Sequence, residues 1–434
     1  MAATIPVWRT APVPRHPMTF AYATVWLFIL VYCARPGDWI PGLASMPLAE
    51  MSAILALLGL ALSFHEIRRR LTRDVLYLAL LVGQLFLAAV LSPVWRGGAL
   101  QQALDFAKIL LVVVMITVTV TTSNRLRSLF VIQVVSVSAI AVVSAWKGQQ
   151  ILGRLEGVLN GIYHDPNDMA LAIAISLPLC LALLLLSRNG LWTILCSISM
   201  LVMIYTLFLT GSRGGFLAFL TVAAVCLREF AIRGRRRYLL GLAALVGVIF
   251  WQFAGGMLMG RIKGTLDVEE DTAKAYDSGQ ARQQLFWQSI EVTMAHPFFG
   301  VGVGNFDQAS GAWHTTHNAF TLMSAEGGLP ALTLYLLILW RGFKNTGATK
   351  RLAPGVTELS ILAGALRASV LGYVVGSSFL SVSYQFFPYI LVAYTTALFL
   401  VAKNSEPRPG GRQIAPARSA HIVATKAEIS WHAS

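Results

Sequence analysis

The chain has 434 residues, of which 56% are hydrophobic and only 12% charged, and its mean hydropathy is +0.65. A water-soluble domain cannot hide that much apolar surface, so composition excludes a soluble globular protein and points to a polytopic membrane protein. The formal charge of +14 follows from membrane topology and attraction to anionic headgroups, and it calls for no nucleic-acid partner.

In chain order, Arg9 and Arg15 precede an apolar run with no small-residue cleavage pattern behind it. That run is expected to be a retained span, not a removed signal. Runs able to cross about 30 Å of hydrocarbon lie near 19–34, 43–64, 75–95, 106–122, 127–146, 168–187, 191–210, 214–230, 238–259, 319–340, 358–380 and 385–401. They predict an all-α polytopic membrane protein with about twelve transmembrane helices. Nine of these helices fall within 1–259 and three within 319–401, separated by a long loop at 260–318 that carries short helices. A Pro-, Gly- and Arg-rich tail at 402–434 is expected to be disordered.

The N-terminal segment, 65–74, 123–128, 188–190, 228–237, 341–357 and the tail hold about two thirds of the 34 Lys and Arg residues. Cytoplasmic loops collect such residues, so both termini are expected in the cytoplasm and the long loop on the opposite face. Cys33, Cys180, Cys196 and Cys226 fall in apolar runs without CxxC or His/Cys spacing, and read as packing residues. No internal repeat is visible, which weakens a transporter built from inverted repeats.

The polar segments assigned to the outer face form one set. In GIYHDPNDMA (161–170), Asp165-Pro166-Asn167-Asp168 is a turn signal, and Asp168 is expected to cap the helix that follows. Binding of a sugar hydroxyl by Asn167 or Asp165 is the second reading. In TLFLTGSRGGFLAFL (206–220) an arginine stands between two apolar runs, where a charge near hydrocarbon costs at least a few kcal/mol. Ser212 suits an N-cap, Gly214 and Gly215 let backbone N–H groups approach a ligand, and Arg213 adds a full positive charge to the helix terminus. Together they make an anion site, against the plainer reading of a snorkelling anchor.

Further on, GQARQQLFWQSIEVTMAH (279–296) spaces Phe286, Ile290 and Met294 as one apolar helix face at an interface, with Arg282 at its start. The three glycines of HPFFGVGVGNF (296–306) predict a tight packed turn and, without a preceding strand, no nucleotide fold. In HTTHNAFTLMSAEGGLPAL (314–332), His317 and Asn318 re-enter the membrane, and Glu326 follows in the same span. A neutral His317 suits a proton acceptor, and Glu326 either orients that imidazole or caps the Gly327-Gly328 backbone. Arg367, inside a span, is expected to pair with a buried carbonyl or acid.

GSRGGF opening a span, the block from Arg282 through Trp287 to HPFFGVGVGNF, and His317-Asn318 ahead of EGGLPAL occur in an order that resembles the O-antigen ligase/polymerase family of bacterial envelope enzymes. The resemblance implies a GT-C-like glycosyltransferase of the inner membrane. It would move a glycan from undecaprenyl diphosphate to a hydroxyl acceptor, first of all lipid A-core, on the periplasmic face. Arg213 and Arg282 match the family arginines that hold the diphosphate, and His317 matches its general base. Ser212, Gly214, Asn318, Glu326 and Asn167 are expected to complete the substrate surface. No metal or cofactor is expected, since two guanidinium forks neutralise a diphosphate leaving group and attack opposite it inverts the anomeric carbon. A metal-dependent variant would use Asp38, or Asp165 with Asp168, as ligands. Repeat-unit or exopolysaccharide polymerases, protein O-oligosaccharyltransferases and, further off, a lipid-linked anion transporter or a structural envelope subunit remain open readings.

Overall fold

The computed structural model describes residues 19–43, 45–62, 72–148, 150–151, 154–157, 163–234, 236–241, 244–245, 247–248, 272–311 and 314–405. Over these residues the chain is an all-α polytopic membrane protein. Its helices are α1 (Thr19–Ala34), α2 (Pro36–Trp39), α3 (Leu48–Leu62), α4 (Arg73–Val90), α5 (Arg96–Thr119), α6 (Ser123–Lys147), α7 (Pro166–Leu186), α8 (Gly190–Leu209) and α9 (Arg213–Cys226). They continue as α10 (Thr272–Ala295), α11 (Phe306–Ser310), α12 (Ala319–Leu352), α13 (Thr357–Ser377) and α14 (Phe387–Asn404). The only β pairing among the described residues is a two-residue antiparallel contact, Gln150–Ile151 with Arg154–Leu155.

Nine of the described helices are long and apolar enough to cross a membrane, and Thr19–Ala34 and Glu50–Leu62 are shorter apolar helices at two further expected positions. The expected span at 238–259 lies largely outside the described residues, as do most of the expected tail and the side chain of Asp38.

The centre of the bundle is α7, α13 and α14, with α9 packed on α7 and α13, and α12 packed on α13, α14, α4 and α10. Lipid tails are as apolar as leucine, so helices associate in a bilayer by close packing of small residues. Gly364, Ala368, Gly372 and Gly376 form such a row on α13. A Cβ at Gly372 would stand 2.4 Å from the Val222 side chain of α9, and one at Gly376 would stand 2.5 Å from Leu171 of α7. These contacts leave no room for a larger side chain.

Charges inside the bundle are paired. Asp74 at the start of α4 is buried and takes hydrogen bonds from Arg341 Nε (2.5 Å), Asn345 Nδ2 (3.0 Å) and Thr396 Oγ1 (2.9 Å). These bonds explain why α12 continues to Leu352, well past the apolar run that ends near 340. A π turn at Leu227–Ile232 extends α9, and within it Glu229 is buried. Its carboxylate meets Lys350 Nζ at 2.6 Å and Arg367 Nη1 at 3.3 Å. Arg367 also stacks on Phe343, 4.2 Å from the ring centroid. This is the acidic partner expected for an arginine inside a span.

The helix α12 is broken at Gly328 (φ 80°, ψ 174°), just before Pro330. A break there frees backbone groups that hydrocarbon cannot satisfy. The glycine turn satisfies them: Val301 N–H donates to Ala325 O (3.0 Å), Gly302 N–H to Glu326 O (2.9 Å), and Leu329 N–H to Pro297 O (2.8 Å). Gly300, Gly302 and Gly304 all have positive φ, as a tight packed turn requires. Glu326 is buried, and its Oε1 accepts from Phe306 N–H (3.2 Å), the first residue of α11. The carboxylate therefore caps the end of the glycine turn. It neither orients the imidazole of His317 nor caps Gly327-Gly328, because the turn reaches it first.

Replacing Gly372 by leucine is expected to lower the thermal unfolding temperature in detergent, since overpacking of this kind costs about 1–3 kcal/mol. Glu326→Ala should leave the Phe306 donor unsatisfied, at about 1–3 kcal/mol. It should also expose 296–306 to limited proteolysis, whereas Glu326→Gln, which keeps an acceptor oxygen, should stay protected.

Candidate functional site

At one end of the bundle α7, α9, α12 and α14 begin, and the expected polar residues gather there. Ser212 is the N-cap of α9, its Oγ accepting from Gly215 N–H at 3.1 Å. That hydroxyl donates in turn to Asn167 Oδ1 (2.7 Å), which also accepts from Arg154 Nη2 (2.8 Å), while Arg154 Nε donates to Thr210 O (3.2 Å). Asn167 and Ser212 thus form the scaffold of the GSRGG turn, leaving Arg213 exposed at the first position of α9. Gly214 is buried, and a Cβ there would stand 2.8 Å from Phe379 Cβ, so its role is close helix approach. A sugar-reading role for Asn167 is already limited by its two donors.

Asp165, not Asp168, caps α7: its Oδ1 accepts from Asn167 N–H (2.6 Å) and Asp168 N–H (3.4 Å). Proline at the first helical position places the cap at the residue just before it, three positions earlier than expected. Asp168 instead accepts from Gln385 Nε2 (2.8 Å), tying α7 to the segment ahead of α14.

His317 sits immediately before α12, held in left-handed backbone (φ 50°). Such a conformation is uncommon for a residue with a side chain and needs support from its surroundings. Support comes from Ser381 Oγ, which accepts from His317 N–H at 2.9 Å, and from Thr316 Oγ1, which accepts from Asn318 N–H at 3.2 Å and donates to Asn318 O at 2.8 Å. Asn318 is the N-cap of α12, its Oδ1 accepting from Phe320 N–H (2.9 Å) and Thr321 N–H (3.2 Å). Its side chain is therefore occupied with capping and does not line a ligand surface with that oxygen.

Arg282 projects from α10, which packs on α12. The packed row is Leu285, Ser289 and Thr293, with Thr293 Oγ1 and Ser324 Oγ 3.0 Å apart, while Trp287 and Met294 are exposed. The buried face is one residue round from the expected Phe286–Ile290–Met294 row, because hydroxyl pairing with Ser324 sets the rotation. Along the connection to α11, Asn305 Nδ2 donates to Ser92 Oγ (2.8 Å) and Val301 O (3.0 Å) and pins the glycine turn to the α4–α5 link.

These placements bring Arg213, Arg282 and His317 into one electrostatic neighbourhood. Burial and the nearby Arg213 charge push the Arg282 guanidinium down, opposed by Asp165, although it stays cationic at neutral pH. Burial, then the charge of Arg282, push the His317 imidazole below 6.5; Asp165 opposes this and His314 adds to it. At neutral pH the ring is therefore uncharged and able to take a proton. Asp165 belongs to this neighbourhood, as do His314, Arg154 and Ser381, which had no motif to mark them. The visible signal was the DPND turn for Asp165 and a lone outer arginine for Arg154. No group of His, Cys, Asp and Glu among the described residues has a metal-holding arrangement.

A search of curated proteins finds no match. One solved chain, from a peptidoglycan synthase complex that coordinates polymerization and crosslinking, is 20% identical over 76% of this chain and 95% of its own. Its TM-score is 0.41, a level at which likeness bears on neither fold nor chemistry. Residues 198–336, which hold the GSRGG turn, Arg282, the glycine turn and His317, match the family model described as O-antigen ligase (Wzy_C). Over that segment, about a third of the chain, it is similar to the O-antigen ligase family.

Proposed function

We propose that this chain is a glycosyltransferase that moves a glycan from undecaprenyl diphosphate to a hydroxyl acceptor, with lipid A-core the favoured acceptor, at the periplasmic end of the bundle. The observation that carries the reading is the convergence of two guanidiniums and an uncharged imidazole beside a helix N-terminus. The opposite end bears Arg125, Arg127, Arg188, Arg236, Arg341, Lys350 and Arg351. By the positive-inside rule that end is cytoplasmic, and both termini follow it.

Two like charges held close by the fold repel until an anion joins them, and a diphosphate supplies that anion. Arg213 and Arg282 would grip its oxygens as the glycosidic bond breaks, when negative charge on the leaving group grows. His317 would take the proton of the attacking hydroxyl from the opposite side, so the anomeric carbon inverts. Ser212, Asn167, Asn318 and Glu326 act by holding these three in place, through caps and the turn, without touching the reacting atoms.

With purified protein, a lipid-diphosphate glycan and lipid A-core, His317→Ala is expected to reduce transfer about 10²–10⁴-fold. Each of Arg213→Ala and Arg282→Ala should reduce it about 10²–10³-fold, with monodisperse protein retained. Turnover should persist in a chelator. Wild-type rates in His317→Ala remove the proposed base, and elongation of a second glycan donor in place of lipid A-core makes the enzyme a polymerase.

The pH profile carries a second test. His317 must be neutral to act, and its folded pKa is lowered, so kcat/KM should fall only below pH 6.5, about tenfold per unit. Bound diphosphate brings negative charge and raises that pKa, so the acid limb of kcat should lie at higher pH than that of kcat/KM. Coincident limbs would argue against a phosphate beside the imidazole.

A further inference from the structure

At the cytoplasmic end, far from Arg213 and His317, α6, α8 and α13 begin around a cavity of about 830 Å³. Val131, Leu183, Trp192 and Ile361 line it from positions inside their helices, while Arg127, Arg188 and Arg236 line it at the helix ends and connections. Among the described residues Glu358 is the one carboxylate in the lining, and it faces Arg127 at 3.6 Å (Nη1 to Oε1). Three guanidiniums against one carboxylate leave two positive charges in excess.

Three of the neutral polar side chains in the lining are already used. Asn189 caps α8, Ser187 Oγ donates to Asn189 O (3.0 Å), and Ser128 Oγ donates to Arg125 O (3.1 Å). Among the described residues no side chain caps α13, and its first residue, Thr357, also lines the cavity. The electrostatics ask for an anion, and helix N-termini add to that demand.

The cavity is far larger than a phosphate ion needs, and its inner lining is apolar. Helix α8, which forms one wall, buries little of its surface against the rest of the bundle. The cavity therefore adjoins the bilayer as well as the headgroup region. We infer that it is a binding site for an anionic phospholipid of the cytoplasmic leaflet, the phosphate held by Arg127, Arg188 and Arg236 and an acyl chain lying along Val131, Leu183 and Trp192. The site is separate from the glycan-transfer reading and stands or falls without it.

Native mass spectrometry of the full-length protein in a neutral detergent, with added dioleoylphosphatidylglycerol, dioleoylphosphatidylcholine or inorganic phosphate, tests this. One phosphatidylglycerol should be retained at least tenfold more strongly than phosphatidylcholine, and inorganic phosphate should not displace it at equal concentration. Arg127→Gln, Arg188→Gln and Arg236→Gln together should remove the preference. Val131→Trp should reduce retention while keeping all three charges, which separates loss of volume from loss of charge. A control triple at the same end but outside the cavity, Arg228→Gln with Arg237→Gln and Lys344→Gln, should change nothing. Equal retention of the two lipids, full displacement by inorganic phosphate, or an equal loss in the control triple each overturns the proposal.

Discussion

The contact between the broken turn of α12 and the glycine turn at 300–304 governs the geometry of this protein. A helix that stops hydrogen bonding at Gly328 leaves carbonyls at Ala325 and Glu326 and an N–H at Leu329 without intrahelical partners. In hydrocarbon each such group costs several kcal/mol unless protein satisfies it. The chain from Pro297 to Gly302 does so, and only backbone that runs through positive φ can lie that close. Because this turn follows α10 directly and α12 carries His317 at its start, the same contact fixes Arg282 relative to His317. Asn305 then fastens the turn to Ser92, so the arrangement is referred to the α4–α5 hairpin as well.

A second constraint acts through charge. Two buried acids of the bundle are each met by several donors: Asp74 by Arg341, Asn345 and Thr396, and Glu229 by Lys350 and Arg367. Removing one partner from such a group would strand a charge, so these clusters fix the register of α4, α9, α12, α13 and α14. At the end where α9 begins the balance is different. Arg213 and Arg282 stand near each other with Asp165, already committed to capping α7, as their nearby acid. Positive charge is therefore concentrated there by the fold and not dissipated. The neighbouring imidazole, already disfavoured as a cation by burial, loses further affinity for its proton beside Arg282.

Capping explains why several polar residues near the site serve it indirectly. Ser212, Asp165 and Asn318 each satisfy the N–H groups that begin α9, α7 and α12. Glu326 performs the same service for the start of α11. Each helix start is thereby held in place, and Arg213, Arg282 and the ring of His317, left free of capping, share one electrostatic neighbourhood.

The sequence by itself determined that the chain spans a membrane many times, where most spans fall, that Ser212 caps the helix opened by Arg213, and that the glycines from 300 to 304 make a packed turn. Those features are local: apolar length, capping chemistry and φ > 0 are written in neighbouring residues. The rotation of α10, the recruitment of Asp168 by Gln385, the occupation of Asn167 by Ser212 and Arg154, and the partner of Glu326 were decided only by tertiary structure. Each depends on a donor or acceptor tens to hundreds of positions away, such as Ser324, Arg154 or Phe306, and no spacing along one strand of sequence records which distant group arrives first. The same holds for the excess of arginine around the far cavity, since Arg127, Arg188 and Arg236 read singly as topology signals and acquire a shared meaning only where three helix ends meet.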